Sequence, residues 1–309
     1  HTISIAVTGV QTCAFRSGKS FKTLAELYRC KCISSMPYGA EIWGYMATKP
    51  LQNEENRFFR RLLRVPPNTP AFVMHEELGT PYVEDLMAVK PLVQWLAVWS
   101  TAAKQLNRDI ILDCLSLSQA KKIPWLAYVK RELFQLGRPD LFNNPKPSSQ
   151  REILEIKKLF LLRRRFFREE SELTKKSVRS YLPLKTTLGM EPYLSWTNLN
   201  SYHAFLLTRL RFNMILNFLT TKTGWHTISD LGPCDCDNVS EQNIGHFLFF
   251  CTNFNVPRSA FLIPILKDFG LRQWKPALLT ICMVSSIHSC FGTANFLKAA
   301  IKLRSTMNV

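Results

Sequence analysis

The sequence predicts a mainly α-helical protein with a small, cysteine-rich unit near its C-terminus, and three observations support this fold class. Apolar residues recur at three- and four-residue intervals through Lys22–Arg64 and through Arg151–Arg179, which is the period of an amphipathic helix. No stretch of useful length alternates apolar and polar residues as a half-buried strand does. Three cysteines and a histidine lie close together in CDCDNVSEQNIGHFLFFC, Cys234 to Cys251.

The chain is strongly basic. Its 309 residues include 40 lysines and arginines against 23 aspartates and glutamates, a formal charge of +17 at pH 7. A content of 46% hydrophobic residues is ample for a core, so we do not expect a disordered protein. The charge favours an anionic partner, with nucleic acid ahead of an anionic membrane surface. A basic protein without such a partner remains the alternative.

Proline and glycine divide the helical pattern. Pro37 and Pro66 bound a region that contains LQNEENRFFRRLLRV, which we predict to be a helix. Gly79 ends the next short helix, and a long helix is predicted to begin near Val83. Residues 137–150, GRPDLFNNPKPSSQ, have the composition of a linker.

Basic residues border the apolar stripes of several predicted helices. Positive charge packed in this way suits contact with backbone phosphates, although a solvated helix face is the simpler alternative, and both interpretations remain open. The candidate nucleic-acid-binding residues are Arg57, Arg60, Arg61 and Arg64, then Lys157, Lys158, Arg163, Arg164 and Arg165, and then Arg209 and Arg211.

The cysteine-rich stretch has the composition of a metal site. Zinc prefers four ligands in a tetrahedron, and Cys234, Cys236, His246 and Cys251 would supply three thiolates and an imidazole. The single residue between the first two cysteines is a departure, because two or more are usual. An aspartate from Cys-Asp-Cys-Asp could therefore replace a ligand, and Cys251 could instead be a small buried hydrophobe.

Cysteine usage and hydropathy indicate the kind of compartment. Nine cysteines, an odd number, three of them in the cluster, fit a reducing environment better than secretion, so we expect an intracellular protein of the nucleus or cytoplasm. The one stretch near membrane length, Pro276 to Leu297, contains several serines, a histidine and an asparagine. We expect it to be a buried helix, with no membrane partner.

The first residues have a separate explanation. VTGVQTCAFRS, Val7 to Ser17, resembles the conceptual translation of a common sequencing adapter. We therefore expect residues 1–17 to be an artefact that is no part of the fold, and we expect the natural N-terminus to lie further upstream.

Four segments in order give the sequence a family resemblance. MPYGAEIWGY, then LQNEENRFFRRLLRVPPNTPAFVMHEELGTPYVEDL, then HAFLLTRLRFNMI, and then the cysteine-rich stretch followed by Arg258 resemble the C-terminal part of non-LTR retrotransposon reverse transcriptases. The resemblance covers most of Lys22 to Arg258. It implies a helical thumb, a linker and a CCHC zinc knuckle, with the four cluster residues as ligands of a structural Zn²⁺ and with RNA and DNA as partners.

The resemblance also implies a domain order. We expect a thumb-like helical domain at residues 18–136, a linker at 137–150, a basic helical domain at 151–230, a zinc-knuckle-like unit at 231–258, and a helical tail at 259–309.

The chain lacks the carboxylates that polymerisation needs. Two-metal catalysis requires adjacent carboxylates on a hairpin to hold Mg²⁺, and no Asp-Asp pair occurs. The pairs Glu54-Glu55, Glu76-Glu77, Glu84-Asp85 and Glu169-Glu170 are expected on solvated surfaces.

We expect a nucleic-acid-binding fragment without its own active site. The alternatives are part of an active RNA-directed DNA polymerase whose palm and Mg²⁺ lie upstream, and a decayed relic with only a structural zinc site.

Overall fold

The fold is mainly α-helical, as predicted. The computed structural model describes residues 21–30, 38–46, 48–100, 105–120, 123–145, 147–185, 188–196, 198–212, 233–238, 240, 243–269, 280–281 and 283–307, and no β-strand occurs among them. The adapter-like stretch lies outside these residues.

Sixteen α-helices follow one another along the described parts of the chain. They are α1 (Phe21–Tyr28), α2 (Ala40–Trp43), α3 (Lys49–Leu63), α4 (Ala71–Leu78), α5 (Val83–Ala88), α6 (Lys90–Val98), α7 (Gln105–Ala120), α8 (Pro124–Gln135), α9 (Asp140–Asn143), α10 (Gln150–Glu172), α11 (Lys176–Tyr181), α12 (Pro192–Ser195), α13 (Ser201–Arg211), α14 (Asn255–Pro257), α15 (Ile263–Asp268) and α16 (Ile287–Met307). Short 3-10 turns at Leu182–Leu184 and Thr252–Phe254, and π-helical turns at His246–Phe250 and Arg258–Leu262, complete the helical elements.

These helices form two compact units. One takes the described residues up to Tyr28, Arg57–Thr80 and those of Glu172–Val309, and the other takes those of Arg29–Asn56 and Pro81–Ser171. Each unit draws on separate stretches of chain. The consecutive domains that we expected from the sequence therefore do not coincide with these units, and they stay a prediction.

Helix α3 shows how the pattern of apolar residues produces a helix face. Phe58, Phe59, Leu62 and Leu63 are all at most 2% exposed, because their spacing places them on one side of the helix. Tyr28 stacks on Phe58 with ring centroids 4.2 Å apart. The predicted helix is confirmed in this segment.

Helix α4 ends where the sequence predicted, at Gly79. This residue has φ of 59°, a left-handed conformation that glycine adopts without a steric cost. The amide of Thr80 donates to the carbonyl of His75 at 2.9 Å, which satisfies one of the last helical carbonyls. The long helix expected from Val83 is instead α5 and α6, since Pro91 in the first turn of α6 has no amide to continue the preceding helix.

The unit that contains α6 has a core around Trp95. This side chain is fully buried, donates from Nε1 to the carbonyl of Leu141 at 2.9 Å, and stacks on Phe142 at 4.8 Å. The segment 137–150 therefore contributes helix α9 to a core, although its composition indicated a linker. Helix α10 joins the same core through its buried Ile156 and Phe160.

The unit that contains α13 buries a network of charged groups. Nε of Arg211 lies 2.8 Å from a carboxylate oxygen of Glu77, and Nη2 lies 3.1 Å from Glu191. Nζ of Lys185 lies 2.9 Å from the other oxygen of Glu191. The hydroxyl of Tyr181 donates to Glu77 at 2.6 Å. Opposite charges and hydrogen bonds compensate here for the loss of solvent.

The expectation of solvated carboxylate pairs is wrong for three of the four pairs. Glu55, Glu77 and Asp85 are 1%, 0% and 4% exposed. Each has a partner that replaces water, namely the amide of Val83 for Glu55, Arg211 for Glu77 and Arg168 for Asp85. Glu169-Glu170 remains at least partly exposed, as expected.

Helix α16 covers the second half of the stretch that approaches membrane length. Its Cys290, Ala294, Leu297 and Ala300 are buried, and it packs against α13. Within the described part of the chain, no helix is long and apolar enough to cross a membrane.

Candidate metal centre and basic surfaces

Three cysteines and one histidine converge at the predicted metal site. One ligand atom from each of Cys234, Cys236, His246 and Cys251 lies within 4.8 Å of all the others. The sulfurs of Cys234 and Cys251 are 3.6 Å apart, and the sulfur of Cys236 is 3.2 Å from Nε2 of His246. In a tetrahedron with Zn–S bonds of about 2.3 Å, two sulfurs lie about 3.8 Å apart. These two distances are close to those of a tetrahedral zinc site, and the four ligand atoms are near enough to one another to hold a metal ion.

A tight turn accommodates the short Cys-x-Cys interval. The amide of Cys234 donates to the carbonyl of Ser240 at 2.8 Å, and the amide of Asn238 donates back to the carbonyl of Cys234 at 2.8 Å. Asn238 has φ of 53°, in the left-handed region that asparagine tolerates better than most residues. This loop turns both cysteine side chains toward His246, so a second intervening residue is not needed.

The neighbouring aspartates are not ligands in this arrangement. Oδ1 of Asp237 accepts from the amide of Ser240 at 2.9 Å, and Oδ2 accepts from the hydroxyl of the same residue. Asp235 is exposed and does not belong to the converging group. Asp237 instead stabilises the loop as an Asx turn does.

A capped π-helical turn presents the other two ligands. Oδ1 of Asn243 accepts from the amide of His246 at 2.8 Å, which caps the start of the turn. The amide of Cys251 donates to the carbonyl of His246 at 2.7 Å, and Cys251 then leaves the turn in an extended conformation. The four-residue interval therefore brings both side chains to the same side. Asn243 was not among the residues predicted for the site, although an asparagine directly before a helical segment is a capping signal.

Arg258 fixes the backbone behind this turn. Its side chain is buried, donating from Nε to the carbonyl of Leu248 at 2.7 Å and from Nη2 to the carbonyl of Cys251 at 2.7 Å. Carbonyl groups that a π-helical turn leaves unpaired thus gain a charged donor. In the sequence Arg258 was only a marker of the resemblance, and its contacts show a part in positioning Cys251.

The chemistry of the donor set fits a structural ion. Burial raises the pKa of Cys251 to about 12 and also raises the pKa of Cys236, so burial disfavours both thiolates unless a cation compensates for their charge. A bound Zn²⁺ would supply that charge and fix the fold locally. Four protein ligands leave no open position for water or substrate, which is the pattern of a structural centre.

The basic residues of α3 are only partly at the surface. Arg57 and Arg61 are exposed, and so is Arg64, which directly follows the helix. Arg60 is half-buried and donates from Nη2 to the carbonyl of Thr69 at 3.2 Å. Arg64 also lies over the ring of Phe205, 5.7 Å from its centroid.

The basic residues of α10 fall into two groups. Lys158 is exposed and Lys157 is half-buried. The arginine block is half-buried and ion-paired: Arg163 with Glu132 at 3.3 Å, Arg164 with Asp85 at 3.8 Å, and Arg165 with Glu169 at 4.0 Å. The local charge of this block is therefore much lower than its sequence indicates.

The two basic residues of α13 lie inside the protein. Arg209 is 3% exposed and donates from Nη2 to the carbonyl of Arg64 at 2.8 Å. Arg211 is 2% exposed and belongs to the buried network with Glu77. Neither guanidinium is exposed in this structure, so the prediction that these two residues contact nucleic acid gains no support from it. Helix α13 is buried from His203 to Arg211, and the burial that its apolar residues require outweighs the preference of arginine for the surface.

Comparison with known proteins yields no relative. No protein-family model, no curated protein and no solved structure matches the chain.

Proposed function

We propose that the chain is a nucleic-acid-binding C-terminal fragment of a retroelement reverse transcriptase. It would bind template RNA or a primer–template duplex through exposed basic residues, with a zinc ion supporting part of the fold. The ordered segments that resemble non-LTR reverse transcriptases, the charge of +17 and the geometry of the Cys3His cluster support this proposal. The proposal gives this chain no polymerase step of its own.

One observation supports phosphate binding most directly. Arg57 and Arg61 lie one helical turn apart on the exposed side of α3, with Arg64 at the following turn, while Phe58 and Leu62 are buried on the other side. A helix anchored by its apolar face holds such guanidinium groups at fixed spacing. Fixed guanidinium groups suit a phosphate backbone, because Arg–phosphate hydrogen bonds are charge-assisted.

The zinc ion has a structural part in this proposal. Phe247, Leu248 and Cys251 pack with Phe296 and Leu210 in one core. A structural zinc site provides on the order of 10 kcal/mol of folding free energy in small units. The ion would therefore hold the turn that supplies these core residues, and it would not touch the nucleic acid.

A charge-matched pair of variants tests the proposal. Arg57→Gln/Arg61→Gln/Arg64→Gln removes three positive charges from the α3 surface. Lys176→Gln/Arg179→Gln/Lys267→Gln removes three from exposed positions in the same unit that are outside the candidate set. Affinity for a fluorescent single-stranded RNA is measured by anisotropy at fixed ionic strength. We expect the α3 variant to bind roughly tenfold more weakly, and the control variant less than about twofold more weakly.

Two outcomes contradict the proposal. One is that the wild-type chain binds neither RNA nor a primer–template duplex. The other is that both variants lose the same affinity, which would show that only net charge matters. Circular dichroism spectra of all three proteins check that the substitutions leave the helices intact.

A further inference from the structure

A polar cavity lies where α8 and α10 face the start of α5. Its volume is 370 Å³. It is lined by Glu84, Glu132, Gln135, Arg163, Arg164, Phe167, Arg168 and Ser171. Ligand pockets occupy about 300–1,000 Å³, so this cavity suits one small group rather than an extended ligand.

The charges of this cavity are internally balanced. Arg163 pairs with Glu132 at 3.3 Å and also donates to Gln135. Arg168 pairs with Asp85 at 2.9 Å and also donates to Glu84. Because each guanidinium already faces a carboxylate, a bare phosphate would gain little here. The same pairs hold both donors and acceptors in fixed positions, which suits a neutral ligand with several hydrogen-bonding edges.

One aromatic side chain of the cavity reaches solvent. Phe167 is 51% exposed, although it is a large apolar residue, and the guanidinium of Arg163 lies 5.2 Å from its ring centroid. The adjacent Phe166 is 64% exposed but does not line the cavity. The guanidinium covers one face of this ring, and a half-exposed ring of this kind can stack an unpaired base on its other face.

We propose that this cavity takes an unpaired nucleobase of a single-stranded nucleic acid, stacked on Phe167. The carboxylate, amide and guanidinium groups of the lining would contact the edge of the base. The inference rests on the proposed function, since it names the form of nucleic acid that the chain prefers. A base inside a duplex has its edge paired and its faces stacked, so it cannot enter.

Two neighbouring phenylalanines provide the test. Phe167→Ala removes the stacking ring, Phe166→Ala removes an equally large exposed ring outside the cavity, and Phe167→Trp restores an aromatic face. Affinity is measured for a single-stranded oligoribonucleotide and for a blunt duplex of the same length. We expect Phe167→Ala to weaken single-strand binding by about tenfold, within the range of stacking on an aromatic side chain. We expect Phe166→Ala to have less than about a twofold effect, Phe167→Trp to bind as wild type does, and duplex affinity to stay unchanged in all three.

The outcomes separate this inference from the proposed function. Two results would show that the cavity does not take a base, while leaving the proposed function standing. One is that Phe166→Ala and Phe167→Ala lose the same affinity for the single strand. The other is that Phe167→Ala loses the same affinity for the duplex as for the single strand. Failure of the wild-type chain to bind either nucleic acid would overturn both. A fluorescent 2-aminopurine in the single strand gives a second readout, because its emission should change when the base leaves its neighbours for Phe167 in the wild type, and this change should be absent in Phe167→Ala.

Discussion

Arg211 and Glu77 form a fully buried ion pair, with Nε 2.8 Å from Oε1 and side chains that are 1% and 0% exposed. They lie 134 residues apart in the sequence. The hydroxyls of Tyr181 and Tyr193 also donate to Glu77, and burial, followed by the nearby carboxylate, raises the pKa of both tyrosines well above the usual value. The pair thus ties the end of α4 to the end of α13.

Loss of this pair should destabilise the protein strongly. Arg211→Met leaves Glu77 and Glu191 with a buried charge and no guanidinium, and removing one partner of a buried pair costs about 3–5 kcal/mol. The free energy of unfolding from urea titration measures this loss. The control Arg179→Met changes an exposed residue and should stay within about 0.5 kcal/mol of wild type. Equal stability of the two variants would show that the pair is not a determinant of the fold.

Alanine substitutions at Gly79 and Gly137 distinguish the cost of a steric clash from the cost of a left-handed backbone. Both have positive φ, 59° and 73°, but a Cβ on Gly79 would lie 2.0 Å from the amide nitrogen of Met190, whereas one on Gly137 would meet nothing within 4 Å. Gly137→Ala should cost about 1–2 kcal/mol, the cost of a left-handed conformation. Gly79→Ala should cost about 1–3 kcal/mol more, because the backbone must move. Thermal unfolding of both variants measures the two losses of stability. A larger loss for Gly137→Ala than for Gly79→Ala would contradict the predicted clash with Met190.

Glu55 should make stability depend on pH. Burial raises its pKa to about 7 from the usual 4.5, although the Val83 amide and the charge of Arg29 act in the opposite direction and Asp85 adds to the rise. The folded state then holds a proton that the unfolded state has released. Stability should therefore fall as pH rises from about 4.5 to about 7, by roughly 3 kcal/mol.

Glu55→Gln tests this dependence. Glutamine keeps an oxygen to accept from the Val83 amide but does not ionise, so the unfolding free energy of the variant should decline less over the same pH range. The difference between the wild-type and variant curves isolates Glu55 from the other titrating groups. Parallel curves from pH 4.5 to 7 would contradict a raised pKa at this carboxyl.

Local periodicity was enough to predict α3 and the end of α4. The apolar stripe of α3 and the stop at Gly79 are read from spacing and residue type alone. The break between α5 and α6 was also visible as Pro91, although the predicted long helix ran through it. Such signals are local because each helix satisfies its own backbone hydrogen bonds.

Long-range pairing could not be predicted in the same way. The carboxylates of Glu77 and Asp85 were expected in solvent because their partners, Arg211 and Arg168, are 134 and 83 residues away. For the same reason Arg211 was predicted to contact phosphate. The metal cluster was accessible to sequence reasoning because its four ligands lie in one short stretch, whereas the loop that permits the short cysteine interval was not.

The cluster should bind one zinc ion per chain. Metal analysis of the purified protein measures this directly, and Cys234→Ser and His246→Ala should both abolish the zinc content because a tetrahedral site loses a ligand. Cys30→Ser changes an exposed cysteine outside the cluster and should retain the metal. If the wild-type protein contains no zinc, or if both cluster variants retain it, the assignment of these four residues as zinc ligands is contradicted.

The salt dependence of RNA binding tests the central claim most directly. The association constant of the wild-type chain for single-stranded RNA is measured over a series of salt concentrations. Contacts of Arg57, Arg61 and Arg64 with three phosphates predict a log–log slope of about −2 or steeper, since each neutralised phosphate contributes about 0.7. An affinity that is the same at low and high salt would contradict phosphate binding and with it the proposed function.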